Sequence, residues 1–250
     1  MISLGNLQSL VGMLNKLEPT TAKTLLKLVS VDVLRSLGDG KFLININNKQ
    51  TLSAKSSVPL EIGAKYLANL EQESGKTPKL SSMQKLPKLL ESMKILQEQT
   101  SLVTKENLQK ILSPKHLSTY KEQLLEELLK SPSKEHFVAH ANLLLSLEVN
   151  VFTFAALFYE YFGFIQLKKR YNKKTKKSFL SFYAFFQSLG GIAGVISEDV
   201  VALSVAKEEI KELLEANKES FSHRVQIEVV EFVEPLFDIE SDKHILDITT

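Results

Sequence analysis

The chain contains no cysteine. That absence excludes disulfides, thiolate zinc sites and a cysteine nucleophile, and it fits a reducing compartment. A large charge excess is lacking as well. Thirty-one Lys and Arg stand against 29 Asp and Glu in 250 residues, a net charge of +2. Global charge therefore singles out no class of partner, and binding chemistry has to be sought in local patches. No secretory leader is expected: the first basic residue of MISLGNLQSLVGMLNKLEP is Lys16, so a positively charged n-region is missing. An unbroken membrane-spanning run is missing too. Residues 141–167 are apolar for long enough, but Glu148, Asn150 and Glu160 interrupt them, and a central carboxylate is costly in hydrocarbon. This stretch reads as a core helix followed by buried aromatic structure.

Catalytic signatures are equally scarce. Gly75-Lys76-Thr77 resembles the end of a phosphate-binding loop, but Leu70 stands where the loop's first glycine belongs, and Pro78 interrupts any following helix. His136 and His140 share a helical face, yet Phe137 occupies the place where a zinc protease carries glutamate. No Gly-x-Ser-x-Gly elbow occurs. Most carboxylates, such as Glu208, Glu209 and Glu212, sit at helical spacing beside lysines. The reading is a non-enzyme with no cofactor, no metal and no small-molecule substrate.

What the sequence does hold is a 44% apolar composition, enough to bury a sizeable core, arranged in four parts. Residues 1–24 place Leu4, Leu7, Leu10, Val11, Leu14 and Leu17 on one helical face. Residues 25–72 alternate in short apolar runs. Asp39-Gly40 supplies the positive φ angles of a tight hairpin, and Asn47-Asn48 offers a second turn. About five short strands there predict a small β-barrel. Residues 73–132 form a Lys-rich connector with helical patches, punctuated by Pro78, Pro87, Pro114 and Pro132. Residues 133–250 begin with a helix whose N-cap is Ser133. Strands, a helix carrying Ile210, Leu213, Leu214 and Phe221 on its buried side, and a last alternating strand around Val225 follow. The fold class is α+β: an N-terminal barrel-like domain, a helical connector, and a C-terminal antiparallel sheet packed by helices.

Two features of the last part point to binding. Gly190, Gly191 and Gly194 follow Leu189 and lead into a strand, not a helix, so they do not form a dinucleotide loop. Glycines in a strand mark a bend or a close backbone approach. The stretch KKRYNKKTKK carries Lys168, Lys169, Arg170, Lys173, Lys174, Lys176 and Lys177, seven cations in ten residues, between two strand-like segments. A solvated loop explains such a run, and so does contact with nucleic acid, anionic lipid or an acidic protein face. The C-terminal part carries the opposite sign, from Glu228 through Glu231, Glu234 and Asp238 to Asp247.

Two stretches together resemble short relatives of the bacterial flagellar hook-length control protein. Asp39-Gly40, Ala54-Lys55 and the run Pro59-Leu60-Glu61-Ile62-Gly63 match the pattern of that family's small β-domain. Leu189-Gly190, the strand 200–205, Leu213-Leu214 and the strand 225–229 match its substrate-specificity domain. The resemblance implies a cytoplasmic protein, associated with the flagellar export apparatus or itself exported. It implies docking onto an export-gate or export-switch protein through Leu189, Gly190, Gly191 and Gly194 together with Lys168, Lys169, Arg170, Lys173 and Lys174. Two alternatives stay open. One is a nucleic-acid-binding module using the basic hairpin, although Phe42 and Tyr66 are the only aromatics of the barrel segment. The other is an export chaperone or adaptor for flagellar subunits.

Overall fold

A computed structural model of the chain describes residues 28–71, 75–96, 114–158, 161–186, 189–198, 200–220 and 224–239. The amphipathic segment 1–24, Phe221 and the acidic residues beyond 239 lie outside these. The chain is α+β. Five strands close a barrel, β1 (Leu28–Gly38), β2 (Lys41–Ile46), β3 (Gln50–Ser56), β4 (Lys65–Glu71) and β5 (Lys79–Lys85), in the order β1-β2-β3-β5-β4.

The first two turns form where the sequence places them. Asp39 and Gly40 have φ of 51° and 67°, and Asn47 and Asn48 have 51° and 57°, the left-handed pair that a two-residue hairpin requires. Asn47 also accepts from Ser30 N at 3.0 Å. Alternation then points Val31, Val33, Phe42, Ile44, Ala54, Tyr66, Ala68 and Leu80 inward.

The fifth strand corrects the sequence reading. A boundary at residue 72 cuts the barrel, because β5 comes from the expected helical connector and closes it by pairing antiparallel with β4 and parallel with β3. Its sequence KLSSMQK hides the alternation. A register shift opposite Leu67–Asn69 breaks the period, so Leu80, Met83 and Gln84 are all buried.

Three helices follow: α1 (Leu89–Ile95), α2 (Pro114–Leu129) and α3 (Lys134–Glu148). Ser133 caps α3 by accepting from His136 N, as its position before the apolar run predicts. The 141–167 stretch resolves into the end of α3, then β6 (Phe152–Phe158) and the start of β7 (Tyr161–Asn172). Among the described residues, no helix is long and apolar enough to cross a membrane. With β8 (Lys177–Phe186), β9 (Gly190–Ile196), β10 (Val200–Val205) and β11 (Arg224–Val229), these strands form a six-stranded sheet in the order β11-β10-β9-β8-β7-β6.

Every pairing from β6 to β10 is antiparallel, but β10–β11 is parallel. The helix between them, α4 (Glu208–Ala216), supplies the crossover that parallel neighbours need. The expected antiparallel sheet packed by helices therefore forms, and ends in a βαβ unit.

Both faces of the sheet are covered. One packs Phe154, Phe182, Ile192 and Leu203 against Ile210 and Leu214 of α4. The other packs Phe164, Tyr183 and Phe185 against Leu89 and Met93 of α1, Leu124 of α2 and Leu143 of α3. Phe154, Phe164, Phe182 and Tyr183 are fully buried, each contributing about 1.5–3 kcal/mol of apolar transfer.

Gly194 sits inside this sheet. A Cβ there would clash with the Ala202 carbonyl oxygen and, at 2.8 Å, with the Phe182 ring. Gly194→Ala should lower unfolding free energy by about 1–3 kcal/mol in urea titration, whereas Val195→Ala at the exposed neighbour should stay within about 0.5 kcal/mol.

Candidate docking site

The residues singled out for docking belong to one sheet. β8 runs from the basic turn at Lys177 to Phe186, which pairs with Gly190, so the hairpin tip and Leu189–Gly191 lie about 30 Å apart. Lys168, at the base of the hairpin, pairs with Ser181, whose other neighbour is Val195 beside Gly194, so these two candidates stand only two strands apart.

The Leu189–Gly194 stretch is a correction. It is mostly strand β9 in the middle of the sheet, not an exposed loop, and Leu189, Gly190 and Gly191 are buried. The close backbone approach that the glycines permit is made within the chain. The side-chain amide of Gln84, at the end of β5, packs against Gly190 and Gly191. A Cβ at Gly190 would collide with Gln84 Oε1, and one at Gly191 would stand 2.8 Å from Gln84 Nε2 and 2.9 Å from Tyr183 Oη. Gly190 also has a φ of +78°, a conformation that disfavours any other residue.

The basic group fares differently. Asn172 Oδ1 accepts from Lys174 N at 2.9 Å and from Thr175 N at 3.2 Å, and Lys176 takes a φ of 54°. That local chemistry shapes the β7–β8 turn. Lys169, Arg170, Lys173 and Lys174 are exposed, Lys168 is half-buried, and Tyr171 is 58% exposed among them. Strand alternation sets Lys168 and Arg170 on one face and Lys169 and Tyr171 on the other. Lys177 pairs with Glu198 at 3.4 Å. Among the described residues, no carboxylate stands within ion-pair distance of Lys168, Lys169, Arg170, Lys173 or Lys174. The hairpin is thus a two-sided cationic finger available to an anionic partner.

The remaining motifs settle into structural roles. Gly75, Lys76 and Thr77 lie in the turn between β4 and β5, with a strand and no helix after them. His136 Nδ1 meets its own N-cap Ser133 at 3.0 Å. His140 is buried, with Nδ1 3.1 Å from Ser131 Oγ and Nε2 3.3 Å from Glu127 Oε2. Among the described residues, no group of three or more His, Asp and Glu is arranged to hold a metal. Sequence reasoning missed Gln84, in the polar run KLSSMQK, and Gln166, a lone amide in the apolar run FGFIQL; neither carries a local signal of its partner. No family model, curated protein or solved structure matches the chain.

His140 makes folding sensitive to acid. Burial lowers its pKa below the ordinary 6.5, with Glu127 opposing the shift. As pH falls below 6.5 the unfolded chain takes up a proton that the folded chain resists, so stability should drop in that window. Urea midpoints measured from about pH 7 to 5 should fall for the native chain and flatten in His140→Gln.

Proposed function

We propose that the chain is a non-enzymatic docking component of a flagellar or type III export apparatus, similar to the hook-length control and substrate-specificity-switch family. It works in the cytoplasm, beside the apparatus. The observation that carries this reading is the exposed cationic hairpin projecting from a sheet whose other candidate contact is already filled by Gln84. The docking surface narrows to Lys168, Lys169, Arg170, Lys173 and Lys174, and the complementary face of an export-gate or export-switch protein is acidic. The order of motifs gives further support. Asp39-Gly40, Ala54-Lys55 and Pro59 to Gly63 fall in one closed barrel, and Leu189-Gly190 opens a strand next to the βαβ unit bearing Leu213-Leu214.

A second reading, binding of single-stranded nucleic acid, is favoured by Tyr171, which offers a stacking face among the cations. It predicts retention on oligonucleotides with a steep salt dependence.

Isothermal titration against the cytoplasmic domain of an export-switch membrane protein tests the first reading. The native chain should bind, and Lys169→Glu/Lys173→Glu/Lys174→Glu should weaken binding at least about tenfold with unchanged circular dichroism, since each exposed charge contributes about 0.2–1 kcal/mol and reversal adds repulsion. Absence of binding by the native chain overturns it.

A further inference from the structure

After β11 the described residues, 230–239, form no further helix or strand. They cross the α1–α3 face of the sheet as a strap, bent at Glu231, Leu236 and Phe237. Val230 N still donates to Val205 O at 2.9 Å. Beyond it, the strap's backbone is held by side chains. Gln166, fully buried on β7, accepts from Leu236 N at 2.9 Å and Phe237 N at 3.3 Å and donates to Phe237 O at 2.7 Å. Asp238 then accepts from Lys88 N at 3.1 Å and Leu89 N at 3.0 Å, satisfying amides at the start of α1.

The apolar side chains seat unevenly. Val233 is buried, Leu236, Phe237 and Ile239 are partly buried against the aromatic face, and Phe232 is 47% exposed. Between the strap and the end of β5 a cleft of about 100 Å³ stays open, walled by Met83, Pro87, Val233 and Pro235.

This is how a bound peptide looks: without regular structure of its own, anchored by one side-chain amide and one carboxylate, and packed through a few apolar residues. A strand of the same length would exchange backbone bonds with a neighbour along its whole course. The groove is therefore built to recognise a segment by its backbone at Gln166 and by an apolar-apolar-acid sequence.

We propose that the groove on the α1–α3 face is a peptide-binding site occupied in cis by the chain's own residues 230–239. Its partner in trans is a peptide segment of the same chemistry, with an apolar residue, then two adjacent apolar residues three positions on, then an aspartate. Displacing the strap frees the groove and at the same time releases the start of α1 that Asp238 holds. The groove meets β7 at Gln166, two residues before Lys168 at the base of the hairpin, and its test uses no hairpin residue.

The probe is a fluorescein-labelled peptide of residues 230–239, VEFVEPLFDI, titrated into the full chain by anisotropy. Phe237→Ala weakens the resident strap and raises the fraction of open groove, so it should bind the peptide at least about tenfold more tightly than the native chain. Adding Gln166→Leu to that variant should reverse the gain. Equal binding by native and Phe237→Ala chains of native circular dichroism overturns the proposal, as does a gain that Gln166→Leu leaves untouched. Hydrogen exchange on the native chain decides should Phe237→Ala fail to fold. The Leu236, Phe237, Lys88 and Leu89 amides should exchange together and at least about tenfold faster than the β7–β8 ladder. Exchange at the rate of the ladder overturns the proposal.

Discussion

The tightest constraint between the two β units is the side-chain amide of Gln84 packed against Gly190 and Gly191. It explains why two glycines stand together at the start of β9. Any side chain there would displace the Gln84 amide from its place against the sheet. It also explains why a glutamine in the last strand of the barrel is buried. The barrel does not hang from a linker. Its closing strand rests on the sheet and passes directly into α1, whose Leu89, Leu90 and Met93 enter the sheet's own core beside Phe164 and Tyr183. Asp238 binds the first amides of α1 from the far end of the chain. Barrel, helices and strap therefore share a single apolar layer.

Much of this was legible in the sequence where the cause is local. Asp39-Gly40 and Asn47-Asn48 declare hairpins through their tolerance of positive φ. Ser133 declares a helix start, and the alternation of Leu180, Phe182, Ala184 and Phe186 places one face of β8 in the core. What stayed illegible depends on distant partners. β5 has no clean period because a register shift interrupts it and because Gln84 turns toward another unit. The parallel pairing of β11 is set by the α4 crossover, not by the strand's own residues. Residues 230–239 carry no helical or strand period, and their course is fixed by Gln166, about seventy positions earlier.

The candidate site divides along the same line. The basic run was visible as composition and survives as an exposed hairpin, because nothing local opposes a cluster of solvated lysines except their own repulsion. The glycine run was visible too, and its physical reading as a place of close approach holds. Its partner is the chain itself. The hairpin tip and Gly190 lie at opposite ends of β8, so the exposed cations of the tip stand far from the barrel–sheet junction. The strap's groove meets β7 at Gln166, two residues before Lys168.

Differential scanning calorimetry of the full chain tests most directly whether the barrel and sheet are one cooperative unit. Cohesion through Gln84, α1 and Asp238 predicts a single transition whose calorimetric and van't Hoff enthalpies agree. Two separable transitions, with the barrel melting apart from the sheet, would contradict it.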